Sequence, residues 1–182
     1  MPGKEFPTFN GNIYLVGFMG AGKSTIGKIL ARELNRPFID TDELIEKKSQ
    51  KSIAEIFRTH GERHFRQLET EVLHEISCES QAIVALGGGA ILKEENRRLI
   101  QNSGISIYLA WDFNVLLSRI WNNPKRPLVE NEKGEQGIQK LKDLFAERET
   151  LYKKSDMVIK CTLEMSPQQI TGKIVANLKE QA

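Results

Sequence analysis

One stretch near the start of the chain has the residue types and spacing of a phosphate-binding loop. Residues 17–24 fit the pattern G-x-x-x-x-G-K-[ST] and follow an apolar run at 13–16. The N–H groups of such a loop converge on one anion, and the dipole of the next helix adds positive charge. Lys23 would reach the β- and γ-phosphates of a nucleoside triphosphate, and Ser24 would offer its hydroxyl to Mg²⁺. A glycine-rich turn with an incidental lysine is the alternative.

Two carboxylates follow the second predicted strand. Asp40 and Asp42 are two residues apart, and alternate side chains of extended backbone point the same way. Both could therefore face one site at the carboxyl ends of the strands, one serving Mg²⁺ and the other a substrate hydroxyl. Alternatively, Asp42 caps a helix that starts near Glu43.

Three consecutive glycines, at 87–89, end the third predicted strand. Many phosphate-loop enzymes place an aspartate for magnesium there, so the metal carboxylate must come from elsewhere, and Asp40 is the candidate. Glycines would let a ligand approach bare backbone and meet its N–H groups. A plain tight turn would use the same residues.

Three arginines are candidate ligands for a carboxylate or phosphate, because a guanidinium grips either group with two hydrogen bonds. They are Arg66, Arg126 and Arg148. A lone arginine is more often a solvated surface residue. Arg66 precedes Glu69 by three residues, so the two charges are neighbours on a helix.

The elements that must position these residues alternate along the chain. Short aliphatic runs alternate with helical patterns, which predicts an α/β domain whose parallel sheet is covered on both faces. Five strands are expected, at residues 13–16, 38–39, 82–86, 105–110 and 157–160.

Helix signals are clearest at three places. Apolar spacing predicts a first helix after the loop, ending near Asn35. A capping box at 52–55 begins a short helix that Gly61 can end, and a second helix runs from about Glu62. Ser166 and Gln169 flank Pro167 in a further capping pattern, which predicts a terminal helix to about Leu178.

Length, charge and cysteine content narrow the class of protein. A chain of 182 residues is one domain's worth, and its net charge of +2 argues against nucleic acid as the main partner. No stretch is long enough to span a membrane. Cys78 and Cys161 lack C-x-x-C spacing, which favours reduced thiols in a cytoplasmic protein. A monomer is expected.

Together, these motifs resemble those of the shikimate kinase family over nearly the whole chain. The D-x-D, F-R-x-x-E, G-G-G and R-P-L motifs of that family occur in the same order, at 40–42, 65–69, 87–89 and 126–128. The resemblance implies a three-layer α/β/α P-loop fold like that of nucleoside monophosphate kinases, with strand order 2-3-1-4-5. It implies one kinase domain over 1–182, a substrate-binding helical segment at about 42–77 and a lid at about 121–137, where mixed polar residues also indicate a mobile loop.

The resemblance also implies roles for the matching residues. Lys23, Asp42 and Arg126 would be catalytic, with Asp42 as the partner of the attacking hydroxyl and Arg126 reaching from the lid to the transferring phosphoryl group. ATP would be bound by Gly20, Ala21, Gly22, Lys23, Ser24, Thr25, Arg119, Arg126 and Pro167. Shikimate would be bound by Asp42, Arg66, Gly88, Gly89 and Arg148. Ser24 and Asp40 would attend Mg²⁺, and Glu69 would orient Arg66.

The implied reaction is ATP-dependent phosphorylation of the 3-hydroxyl of shikimate, in aromatic amino acid biosynthesis. Residue chemistry alone also allows a nucleotide or gluconate kinase, because paired arginines also grip phosphate. A non-catalytic nucleotide-binding module is a further alternative. Phe57 and Phe65 match aromatic positions that the family places against the substrate ring, but core packing explains them equally well. Gln50 and Val129 depart from the family pattern, which bears on local substrate-domain and lid geometry.

Overall fold

A computed structural model describes residues 10–79, 81–121 and 134–180. Its five strands are β1 (Asn12–Val16), β2 (Phe38–Asp40), β3 (Ile83–Ala85), β4 (Gly104–Ala110) and β5 (Met157–Lys160). They form one parallel sheet in the order β2-β3-β1-β4-β5. The predicted five-stranded parallel sheet and its order are confirmed. β3 is one residue shorter at each end than predicted, so Leu86 separates it from the glycine triplet.

Seven helices occupy the described part of the chain, and they cover both sides of the sheet. They are α1 (Lys23–Leu34), α2 (Thr41–Ser49), α3 (Ile53–Cys78), α4 (Glu94–Ser103), α5 (Phe113–Trp121), α6 (Glu135–Tyr152) and α7 (Pro167–Glu180). A 3-10 helix, Ala90–Leu92, follows the glycine triplet. The central strand β1 is buried along its whole length, because helices lie over both of its faces.

The capping signals are confirmed at both predicted helix starts. The Ser52 N–H donates to Glu55 at 2.8 Å, and the Glu55 N–H donates to the Ser52 hydroxyl at 3.3 Å. Ser166 and Gln169 exchange the equivalent pair of bonds ahead of α7. These bonds satisfy N–H groups that a helix leaves without partners in its first turn.

Gly61 divides this stretch into two helical segments, as the sequence predicts. Its φ of 78° and ψ of 174° break the helical geometry inside α3, and the chain resumes the helix at once. The two segments meet at this kink and share the label α3. Glycine permits the positive φ that this kink needs.

Both predicted ends of the loop at 121–137 are helical in the structure. Trp121 is the last residue of α5, and residues 135–137 belong to α6. Residues 122–133, which include Arg126, Val129 and most of the expected lid, lie outside the described residues. Within those that are described, no helix combines the length and apolar character that crossing a membrane requires.

Candidate active site

The loop between β1 and α1 has the backbone geometry of an anion site. Gly20 and Gly22 both have φ of 82°, a conformation that side chains with a Cβ rarely adopt. Gly22 is the N-cap of α1, and no side chain caps this helix. The first N–H groups of α1 and the positive end of its dipole therefore meet at the loop, as phosphate binding requires.

Lys23 folds back onto this loop. Its Nζ donates to the carbonyl oxygens of Gly17, at 2.8 Å, and Phe18, at 3.2 Å. The ammonium group is therefore held beside the residues that surround an anion in loops of this kind. Thr25, two positions further along α1, is exposed.

A tryptophan and an arginine donate hydrogen bonds to carbonyl groups of the loop. Trp111, which is buried, donates its indole N–H to the Ala21 carbonyl at 3.0 Å. The Arg119 guanidinium lies 3.7 Å from the centre of the Trp111 ring and donates to the Gly20 carbonyl at 3.4 Å. Arg119 is thus beside the loop, whereas Trp111 was missed, because nothing in its local sequence signals the contact.

Pro167 has a different setting from Arg119. It is the first residue of α7, and α7 packs against α1. Among the described residues, no hydrogen bond joins Pro167 to the phosphate loop. Its position at the start of a capped helix is explained by its fixed φ alone.

Asp40, and not Asp42, caps the helix after β2. Asp40 Oδ1 accepts hydrogen bonds from the N–H groups of Asp42, at 3.1 Å, and Glu43, at 3.5 Å. α2 therefore begins at Thr41, and Asp42 lies in its first turn rather than in extended backbone. The alternative in which Asp42 is the cap is wrong. Asp40 is the N-cap because its side chain accepts hydrogen bonds from the first N–H groups of the helix.

The second carboxylate oxygen of Asp40 connects the D-x-D motif to the phosphate loop. Asp40 Oδ2 accepts a hydrogen bond from the Ser24 hydroxyl at 2.5 Å. Two hard oxygen donors thus adjoin at the start of α1, which fits Mg²⁺. No group of three or more His, Cys, Asp or Glu residues that could hold a metal occurs in the described ranges. A magnesium ion here would complete its shell with water and phosphate oxygens, as it usually does.

A charge cluster on α3 joins a buried glutamate to a partly exposed arginine and an exposed glutamate. Arg66 Nη1 is 2.6 Å from Glu69 Oε2, and Arg66 Nη2 is 2.9 Å from Glu62 Oε1. Glu69 is only 2% exposed, so burial raises the pKa of its carboxyl, an effect that the Asp42 charge reinforces and the Arg66 charge opposes. Burial alone would lower the pKa of Arg66, but the two glutamates outweigh it and the pKa is raised.

The glycine triplet lies against this cluster. A Cβ atom on Gly87 would be 2.7 Å from both Asp42 Oδ1 and Glu69 Oε1, and one on Gly89 would overlap the Arg66 guanidinium. The structure therefore brings Asp42 and Arg66 together at the triplet, and only glycine leaves room for them. A 3-10 helix follows, so the tight-turn interpretation also describes this segment.

Arg148 completes the group from α6. It is 9% exposed, and its Nη1 lies 3.6 Å from the position of a Cβ on Gly88. The same position is 3.6 Å from the Gly17 carbonyl, which joins the triplet to the phosphate loop. Arg148 forms no ion pair with a carboxylate of the described residues. The Glu69 charge acts on it from a greater distance, and its buried Nε has no hydrogen-bond partner among the described residues, which favours an anionic ligand.

Thr41 is a supporting residue that the sequence interpretation missed. Its hydroxyl donates to the Ala85 carbonyl at 3.2 Å and accepts from the Gly87 N–H at 2.9 Å. It therefore ties the start of α2 to the end of β3. A signal was available, because Thr41 is the middle residue of the D-x-D motif.

The two candidate aromatic residues pack against each other. The rings of Phe57 and Phe65 are 4.8 Å apart, and Phe65 is 5% exposed. Phe57 is partly buried against the same core. Core packing is enough to explain both residues.

Comparison with known proteins agrees with this geometry. A model of the shikimate kinase family matches residues 19–179. A shikimate kinase from a Sulfurihydrogenibium species is 39% identical over 170 residues, which cover 93% of this chain and 99% of that protein.

Two solved structures show the difference between a family relative and a protein that shares the fold alone. A shikimate kinase from Acinetobacter baumannii, in complex with shikimate, superposes with a TM-score of 0.87 and 37% identity over 96% of each chain. A gluconokinase from Sinorhizobium meliloti gives a TM-score of 0.61 at 16% identity, covering 98% of this chain and 95% of that one, and shares the fold alone. The family match extends over most of the chain, and the sequence identities are high enough to carry it. This chain belongs to the shikimate kinase family.

Proposed function

We propose that this chain transfers the γ-phosphoryl group of ATP to the 3-hydroxyl of shikimate, with Asp42 at the acceptor hydroxyl. One observation carries the assignment of the site. Asp42, Arg66 and Arg148 converge on a glycine triplet whose middle residue adjoins the phosphate loop. One carboxylate and two guanidinium groups suit a polyol that bears a carboxylate.

On the nucleotide side, the chain positions and neutralises phosphates. The backbone of residues 20–25 and the Lys23 ammonium would surround the β- and γ-phosphates. The Arg119 guanidinium, stacked on Trp111, would flank the adenine. Pro167 is proposed for the other flank on family resemblance alone.

The magnesium site is proposed at Ser24 and Asp40, whose oxygens are 2.5 Å apart. When bound, Mg²⁺ supplies positive charge that offsets the charge of the transferring phosphoryl group. The protein's own contribution is to fix these oxygens. Asp40 is held by the N–H groups it caps, so its second oxygen is oriented toward Ser24.

On the acceptor side, Arg66 and Arg148 would bind the carboxylate of shikimate, and Gly88 and Gly89 would offer N–H groups to the same substrate. Glu69 fixes the Arg66 fork through a 2.6 Å contact. Asp42 would orient the 3-hydroxyl or accept its proton as the oxygen attacks phosphorus. Phosphoryl transfer proceeds through a loose transition state, so this positioning accounts for most of the catalysis.

The remaining assignments rest on the family resemblance. Arg126, in the proposed lid at about 121–137, would reach the transferring phosphoryl group, and lid closure would exclude water. The helical segment at about 42–77 would be the substrate-binding part of a single kinase domain. We also propose a cytoplasmic monomer, with Cys78 exposed and Cys161 buried as free thiols.

An acceptor panel tests this function. Purified protein with ATP and Mg²⁺ is offered shikimate, gluconate or a nucleoside monophosphate, and ATP consumption is followed. We expect rapid consumption with shikimate alone. Preference for gluconate or a nucleotide would reassign the acceptor, and ATP binding without consumption would support a non-catalytic nucleotide-binding module.

A further inference from the structure

The carbonyl groups of the glycine triplet are all engaged inside the protein. Gly87 O accepts from the Ala90 N–H at 3.0 Å, and Gly89 O accepts from the Leu92 N–H at 3.0 Å. The middle carbonyl, of Gly88, accepts from the Tyr152 hydroxyl. Two of these bonds belong to the 3-10 turn, whereas the third comes from a side chain at the end of α6.

The N–H groups of the triplet are arranged differently. Gly87 N–H donates to Thr41 Oγ1 at 2.9 Å. Those of Gly88 and Gly89 donate to no acceptor among the residues that the structure describes. A turn with every carbonyl engaged and two N–H groups available is suited to binding an anion.

Peptide geometry links Tyr152 to one of these N–H groups. The Gly88 carbonyl and the Gly89 N–H belong to the same peptide unit, which is trans. In a trans peptide the C=O and N–H bonds point in opposite directions. Because the Tyr152 hydroxyl binds the Gly88 carbonyl, the Gly89 N–H points away from Tyr152. Gly89 itself lies next to the Arg66 guanidinium.

The geometry points to Tyr152 as a positioning residue for the acceptor. We infer that its hydroxyl fixes the Gly88–Gly89 peptide so that the Gly89 N–H, together with Arg66 and Arg148, receives the carboxylate of shikimate. This inference rests on the proposed function and adds a residue to which that function gave no role. Tyr152 is fully buried and acts on the acceptor through the Gly88 carbonyl, and its hydroxyl also interacts with the Arg148 side chain.

The surroundings of Tyr152 suit this role. The side chain is fully buried, and its ring stacks on Tyr108 with centroids 5.2 Å apart. Burial raises the pKa of Tyr152 to about 12, although the nearby Arg148 charge acts in the opposite direction. The phenol therefore keeps the proton that it donates at any pH used for an assay.

Tyr108 provides a matched control. Its hydroxyl is also buried, but it has no hydrogen-bond partner among the described residues. Tyr152→Phe and Tyr108→Phe each remove one buried oxygen from the same stacked pair. Only the first change releases a carbonyl of the triplet.

The test compares the steady-state kinetics of wild type and both variants, with Tm as the measure of folding. For Tyr152→Phe, we expect KM for shikimate to rise roughly 3- to 10-fold, the effect of one lost hydrogen bond. KM for ATP should stay within about twofold, and Tyr108→Phe should resemble wild type. Wild-type turnover with shikimate tests the proposed function independently in the same experiment.

A second acceptor separates positioning from general loosening of the fold. The methyl ester of shikimate lacks the carboxylate charge that the Gly88–Gly89 peptide is proposed to bind. With this ester, the kcat/KM of Tyr152→Phe should approach that of wild type. An unchanged KM for shikimate in folded Tyr152→Phe would overturn the inference. So would an equal loss in Tyr108→Phe, or the same loss with the ester.

Discussion

The phosphate loop and the acceptor pocket lie against each other but are built differently. The loop is one continuous stretch, and its geometry comes from backbone at positions such as Gly20 and Gly22. The acceptor pocket combines α2, α3, α6 and the turn after β3, and two of its charged residues, Glu69 and Arg148, are buried. A contiguous backbone site is specified locally, whereas a dispersed site depends on packing between distant segments.

This difference predicts that damage to the two regions is separable. Changes in the acceptor pocket should alter shikimate kinetics and leave nucleotide binding intact. Changes at the loop should do the reverse. Asp42 and Ser24 provide the sharpest pair, because they belong to different halves of the site but are both small polar residues.

The largest effect is expected for Asp42→Asn. The amide keeps the shape but cannot accept the hydroxyl proton, so kcat should fall about 10²- to 10⁴-fold, the usual contribution of general base catalysis. ATP affinity, measured by calorimetry, should stay within about twofold. Glu43→Gln, at an exposed position in the same helical turn, is the control and should behave as wild type. Full turnover by Asp42→Asn would remove Asp42 from the mechanism.

Ser24→Ala should damage the other half. Loss of the hydroxyl that bonds to Asp40 should raise the Mg²⁺ concentration needed for half-maximal rate, by up to roughly 100-fold. Titration of the initial rate with Mg²⁺ measures this change, and KM for shikimate should hardly move. Ser118→Ala, which removes an exposed hydroxyl from α5, is the matched control. An unaltered magnesium requirement would contradict the proposed metal site.

Gly89→Ala tests the packing of the acceptor pocket. The added methyl group would displace the Arg66 guanidinium, so KM for shikimate should rise roughly tenfold, as for a lost charged hydrogen bond. Gly172→Ala, at an exposed helical glycine with no atom near the added methyl group, should leave kinetics unchanged and stabilise the fold by about 0.5–1 kcal/mol. Equal kinetics for both variants would mean that Arg66 does not bind the acceptor.

The smallest effect concerns the pH dependence of stability. Because burial raises the pKa of Glu69, the folded protein holds that proton more tightly than the unfolded chain. The contribution of Glu69 is therefore present at low pH and is lost as pH rises from about 4 through its raised pKa. Urea unfolding across this range should show that the free energy of unfolding falls less with rising pH for Glu69→Gln than for wild type. An identical slope would contradict a burial-dominated Glu69.

What the sequence could predict follows the same division. The strands and the phosphate loop depend on local runs and spacing, and they were found. α4 was not, because its ten residues contain few apolar positions from which to read a helical stripe. The cap of α2 was also misplaced: Asp42 was considered and Asp40 was not, although both have the residue type that caps prefer.

The acceptor pocket required more than local patterns. No spacing in the sequence places Arg148 beside Gly88, which is 60 positions away, and only the resemblance to a family suggested it. Trp111 and Thr41 act through contacts with backbone groups, which leave little trace in a single sequence. Such residues become visible when the elements that carry them are packed.

The most direct test of the account is the identity of the product. Wild-type protein is incubated with ATP, Mg²⁺ and shikimate, and the product is examined by phosphorus and proton NMR. We predict one phosphate ester, at the 3-hydroxyl, formed in equal amount to the ADP released. A folded preparation that leaves shikimate unmodified, or that phosphorylates another hydroxyl, would contradict the arrangement of Asp42 and the phosphate loop proposed here.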